Sequence, residues 1–252
     1  MRNRTRESSQ SSLQKSPLRI HNHGRRLRVT AASRKTTIKV TLNIDHLFAP
    51  DAMDINSTDA DAVTDIMPNY FCAVRDIVAL MNTIEEETYP TGSESSRIDA
   101  LGMTLVAGLA DVRKWFRLEY DLWQSIVPLL SGMDENGHGL RISRYIAIVM
   151  QVSTAPGRGD KGKAEFTRLS NVCSLRRLAV MEDGHFGLVP WGSKEGDEVF
   201  AFEGMESLFV LRSGLGRVGD DRAEEFELVG DCYVHGLEAA VGPGDGLSVD
   251  LT

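Results

Sequence analysis

From Cys173 to Gly236 a glycine returns every several residues, and short β-rich runs stand between: Arg177–Met181, Val199–Phe202, Leu208–Arg212, Phe226–Val229 and Cys232–His235. Runs this short, separated by residues that accept turn conformations, point to antiparallel hairpins. The spacing predicts a small sheet or partly closed barrel over residues 173–238. Gly230, set between two apolar runs, predicts a bulge where a strand turns a corner. Gly196-Asp197 predicts a turn into a strand beginning at Glu198, with Gly196 at positive φ and Asp197 accepting backbone amides of the turn.

Upstream the periodicity changes, and residues 68–172 read as helical. Tyr70, Val74, Ile77, Val78, Met81 and Ile84 recur at three and four residues, the apolar stripe of an amphipathic helix that Pro90-Thr-Gly92 ends. Ser95 or Ser96 caps a second helix with apolar positions Ile98, Leu101, Leu105 and Leu109. Gly102 and Gly108 each weaken it by about 1 kcal/mol relative to Ala, so it depends on tertiary packing. Asp111–Leu130 reads as a third helix, with Val112, Trp115, Phe116, Tyr120, Trp123 and Val127 inward and Pro128 closing it. A short helix is expected around Ala164–Val172, and the apolar segment Ile142–Val152 has no clear type. The fold class is therefore α+β, helical in the middle with a C-terminal β unit.

The ends differ from this body. The first 40 residues hold eleven of the 28 Lys and Arg and one of the 36 acids, Glu7, a net +10 against −18 for the rest. Residues 1–35, rich in Arg, Ser and Gln, read as a disordered basic arm. Residues 36–67 hold an expected strand, Thr36–Ile44, and an acidic linker to Pro68. Residues 239–252 read as a flexible tail. At 252 residues and 42% apolar, the chain can bury one sizeable core. Its longest apolar runs fall far short of the roughly 20 residues of a bilayer span. Cys72, Cys173 and Cys232 are scattered and odd in number, which favours buried thiols in a reducing compartment, so the cytoplasm is the expected location. An Arg/Ser-rich start also resembles a mitochondrial presequence, although Pro17 and Gly24 interrupt the helix one needs.

Several stretches imitate chemistry. Gly157–Lys163 followed by Ala164 nearly spells a phosphate-binding loop, but Ala164 removes the hydroxyl that would hold Mg²⁺. A nucleotide-binding protein built on Gly157–Lys163 is the alternative reading. Gly214-Leu-Gly216-Arg-Val-Gly219 fits a dinucleotide fingerprint, yet too few residues follow for the helix it requires, so it reads as a hairpin loop. Asp134–Gly139 has the oxygen spacing that opens a calcium loop, but Tyr145 stands where the bidentate acid belongs. Arg158-Gly159-Asp160 would matter only outside a cell. His21 and His23 have no further ligands near them. A strand sets Cys232 and His235 on opposite faces, so they do not form a nucleophile–base pair. No residue is assigned a catalytic, cofactor-binding or metal role, and no cofactor is expected. A protein partner fits this profile; nucleic acid does not, except through the basic arm, residues 1–40.

The order of elements in the β-rich region resembles the C-terminal region of fungal heterokaryon incompatibility (HET domain) proteins. The resemblance is carried by Arg176–Arg177, Gly184, Gly187–Leu188, Pro190, Gly196–Asp197, Val199, Gly204, Val210–Arg212, Leu228–Gly230 and Tyr233–Gly236. Upstream, Thr104–Leu105 matches a helical element of that family, with Gly102 where an aromatic is frequent. Leu237-Glu-Ala-Ala departs from the family's usual continuation. The aromatic-Gly and Trp-Ile-Asp-type motifs of the namesake domain do not occur in residues 1–95, so a truncated paralogue, a fragment or a stand-alone accessory unit is expected. The resemblance implies a non-enzymatic regulatory or recognition role in self/non-self response and programmed cell death.

Overall fold

In the computed structural model, residues 19–21, 26–44, 60–83, 89–90, 96–131, 160–214, 224–239 and 247–251 are described. Eight strands and four α-helices appear among them: β1 Arg19–His21, β2 Arg26–Asn43, α1 Ala60–Thr83, α2 Arg97–Leu105, α3 Arg113–Ile126, α4 Asp160–Cys173, β3 Arg176–Met181, β4 Phe186–Pro190, β5 Glu198–Phe202, β6 Leu208–Ser213, β7 Glu224–Val234 and β8 Leu247–Leu251. The chain is α+β, as its patterning predicts.

Six strands close a ring in the order β2-β3-β4-β7-β6-β5 and back to β2, every pairing in it antiparallel. The barrel is thus closed, and the strand that closes it comes from the N-terminal side. β2 pairs β5 through Ala32–Thr37 and β3 through Ile38–Asn43. Register shifts between Arg34 and Thr36 and between Ile38 and Val40 bend it from one neighbour to the next. The expected strand at Thr36–Ile44 therefore starts ten residues earlier, and Arg26–Lys35 belongs to the sheet rather than to a disordered arm. The expected flexible tail is corrected too: β8 pairs β2 antiparallel and β7 parallel. Residues 1–18 lie outside the described set.

The barrel interior follows a period of two. Ala179 and Met181, Val199 and Ala201, Leu208 and Val210, Cys232 and Val234 form one buried cluster with Ile38 and Val189. The intervening residues Leu178, Val180, Phe186 and Leu188 face the helices. On another side Phe200, Phe202, Leu211 and Phe226 pack with Val249 and Leu251 of β8. The bulge expected at Gly230 is present: Val210 pairs Gly230 while Leu211 pairs Leu228, leaving Val229 extra. Gly230 has φ +154°, and a Cβ there would stand 2.9 Å from Pro190 Cγ.

The helices form one apolar layer over β3 and β4. Tyr70, Val74, Ile77, Val78 and Met81 of α1 are buried as their spacing predicts, but α1 begins at Ala60 and runs through Pro68, shortening the linker. Ser96 caps α2, accepting from the Asp99 amide at 3.3 Å. α3 turns Phe116, Tyr120 and Trp123 inward, then tightens into a 3₁₀ turn at Val127–Leu130 containing Pro128. The Trp123 indole donates to Glu119 Oε1 and to Tyr70 Oη, each at 3.1 Å, so its buried N–H is satisfied. Arg117 clasps Asp99 across α2 and α3, with Nε 2.7 Å from Oδ1.

Candidate functional site

Two helices end in a conformation their residues disfavour. α2 closes with paired bonds, Ala107 N–H to Thr104 C=O at 2.8 Å and Gly108 N–H to Met103 C=O at 2.9 Å. That is a Schellman motif, whose first residue past the cap is ordinarily glycine. Here Ala107 occupies it at φ 49°, with Gly108 following at φ 70°. α4 ends at Cys173, Ser174 N–H bonds Ser170 C=O, and Leu175 follows at φ 56°. Left-handed backbone costs an L-residue about 1–2 kcal/mol. Ala107 and Leu175 are the two non-glycine residues with positive φ among the described residues.

Ala107 lines a cleft whose wall also includes Ser174 and Arg176, the two chain neighbours of Leu175. It measures about 560 Å³, and its walls are the end of α2 (Ala107, Leu109), the end of α4 (Asn171, Val172, Ser174), and the barrel at Leu188, Leu208 and Asp231–Val234. Leu237 and Ala239, after β7, complete it. Leu109 lines the cleft and is 76% exposed; Leu175, between the lining residues Ser174 and Arg176, is 73% exposed. No other large apolar side chain among the described residues is as exposed as these two. The helix expected to run to Leu109 thus stops at Leu105, and Leu109 is not a core residue. A Cβ on Gly108 would stand 2.8 Å from Tyr233 Oη, so glycine lets the α2 terminus rest on β7.

Charge in the cleft is unevenly satisfied. Arg176 donates to the carbonyl and carboxylate of Asp231, the latter at 2.8 Å, so its cation is already held. Glu206, also lining the cleft, is exposed and makes no ion pair among the described residues. Cys232 lies on the floor, but burial pushes its thiol up to about 12, first by desolvation and then by Asp231. It therefore stays protonated and is a poor nucleophile at neutral pH.

Behind the cleft, Tyr89 joins the helical side to the barrel. Its hydroxyl accepts the Phe186 amide at 3.1 Å and donates to the His235 carbonyl at 3.0 Å. The His235 ring meets Tyr233 Oη through Nδ1 at 3.0 Å, and Tyr89 also packs against His185. Burial, then the neighbouring His185, holds His235 below its ordinary value. His185 Nδ1 lies 3.0 Å from Asp183 Oδ1, without the alignment of a hydrogen bond. His235 is thus engaged with Tyr233 and Tyr89, and Cys232 packs with the barrel interior.

α4 begins at Asp160, inside the glycine-rich stretch 157–163, and the sheet is an antiparallel barrel rather than the parallel sheet a phosphate loop needs. β6 and β7 pair antiparallel and Gly214 N–H bonds Glu225 C=O at 2.9 Å, while residues 215–219 of the glycine stretch lie outside the described set. Residues 134–139 and 142–152, Arg158, Gly159 and His23 lie outside the described set. Among the described residues no three His, Cys, Asp or Glu side chains could hold a metal, and no helix is long and apolar enough to cross a membrane. The sequence reading missed Leu175 altogether. The signal was there, since a leucine two residues past a helical run that ends at Cys173, and just before an arginine pair, falls where a helix cap needs glycine. No family model, curated protein or solved structure matches this chain.

Proposed function

We propose that this chain is a non-enzymatic recognition module of the kind found C-terminally in fungal heterokaryon incompatibility proteins, acting in the cytoplasm in a self/non-self response. It works by holding a protein partner at the cleft between α2, α4 and the barrel. The observation that carries the recognition reading is the meeting, at one cleft, of two strained helix ends and the bare Leu109, with the equally bare Leu175 between two lining residues. Strain persists where the surrounding structure enforces it, and it gathers at functional sites. Exposed leucines around a concavity are a feature of partner surfaces. The residues that carry the HET-like motif support a scaffolding role for it: Asp197 and Arg212 pair, Gly196 and Gly204 turn the chain, and Gly230 kinks β7.

The test is a fusion assay between fungal strains, one expressing the chain and one not, scored by dye exclusion in the fused compartments. Death that requires the chain and is lost in the Leu109→Asp, Leu175→Asp double variant is expected. Unchanged viability with the wild-type chain, or death that the double variant still provokes, goes against the reading.

A further inference from the structure

We infer that the cleft takes an extended segment of a partner protein in which a bulky apolar side chain stands beside a lysine or arginine; this deepens the recognition reading and rests on it. The apolar requirement follows from the rim. Leu175 gains little from its own fold, being both exposed and left-handed, so its side chain is available for a partner. Leu109, on the α2 side of the cleft, is equally bare. A small molecule sunk on the floor would leave Leu109 in water, whereas a peptide lying across the opening covers it and extends past Ser174 and Arg176 to Leu175.

The basic requirement follows from the charges. Arg176 is committed to Asp231, so among the described residues the cleft lining offers no unengaged cation for an anionic ligand. Glu206 lines the cleft and is exposed without an ion-pair partner among the described residues. A lysine or arginine arriving over Glu206 meets uncompensated negative charge, and an acidic segment meets repulsion.

The experiment displays a random heptapeptide library against the full chain. The selected peptides are expected to place Leu, Ile, Phe or Met next to Lys or Arg. Leu175→Gly is expected to raise the melting temperature, because glycine accepts the left-handed backbone, while weakening the selected peptides at least tenfold. A side chain with only a structural role would lower both. Glu206→Lys is expected to leave the melting temperature unchanged and turn the selection toward Asp and Glu. If peptides bind but show no charge preference, or bind Leu175→Gly and Glu206→Lys as they bind wild type, the inference about this cleft is overturned while recognition stands. If no peptide is selected at all, the recognition reading is overturned with it.

Discussion

Arg212 holds the buried carboxylate of Asp197 with two hydrogen bonds, Nε to Oδ1 at 2.9 Å and Nη2 to Oδ2 at 2.8 Å. The same carboxylate accepts the Lys194 amide at 2.8 Å, which the turn sequence predicted, while Arg212 reaches on to the Gly192 carbonyl at 2.7 Å. One ion pair therefore ties the β4–β5 turn to β6. Removing one partner of a buried pair leaves the other uncompensated, a loss larger than that of a neutral turn hydrogen bond. Asp197→Ala is expected to lower stability by about 2–3 kcal/mol, with Asn recovering part of it through the amide bond. Urea melts of the two variants check this, and a loss below the level of a surface substitution would contradict the bridging role.

Two glycines are needed for opposite reasons. Gly196 has φ +86°, with no heavy atom within 4 Å of where a Cβ would be, so the cost of Gly196→Val is conformational. A loss of about 2 kcal/mol is expected, and no neighbouring substitution should relieve it. Gly102 lies in an ordinary helix, but a Cβ there would stand 2.8 Å from the Phe116 ring. Gly102→Ala should cost about 1–3 kcal/mol by overpacking. Adding Phe116→Leu should recover part of that loss, and thermal melts of the double variant decide whether the two sites couple.

Deleting residues 1–35 should unfold the barrel. The deletion removes the part of β2 that pairs Ala32 with Phe202, Ser33 with Ala201 and Val29 with Val249, opening the ring beside β5 and leaving β8 paired only with β7. Loss of cooperative unfolding in circular dichroism is expected. An unchanged melting temperature would mean that the barrel closes without these pairings.

Acid should loosen the joint at Tyr89. His235 has its folded value pulled down by burial and by His185, so the fold favours neutral imidazole over the unfolded value of about 6.5. The stability this confers is present above that unfolded value and falls as pH drops through it toward the lower folded value. The groups facing the ring are Tyr233 on Nδ1, Tyr89 against its face, and His185. Asp99, held low chiefly by its hydrogen bond from Arg117, contributes in a separate window: its stabilisation is present above the ordinary carboxylate range and is lost in stronger acid. Melting temperature should therefore decline between about pH 7 and 5, and His235→Gln should flatten that limb without changing the limb below about pH 4. Equal slopes in wild type and variant would remove His235 from the account.

The three- and four-residue apolar spacing of α1 and α3, the Ser96 cap, the glycine-punctuated hairpins, the Gly230 bulge and the Gly196-Asp197 turn were all determined by residues a few positions apart. Such signals are local because a helix stripe, a cap or a turn is satisfied within its own few residues. Tertiary structure alone decided that Arg26–Lys35 is a strand and that Leu247–Leu251 lies between β2 and β7. The alternation of Leu27 and Val29 with Arg26, Arg28 and Thr30 is the one local signal in the first of these, and it is too short to fix the whole strand. That segment is held because β5 and β8 each present an edge for it to pair, and edges more than 160 residues downstream are invisible to local patterning. The cleft is of the same kind: Leu109 reads as a core position of its helix until the Schellman turn at Ala107–Gly108, seated on Tyr233, directs it into solvent.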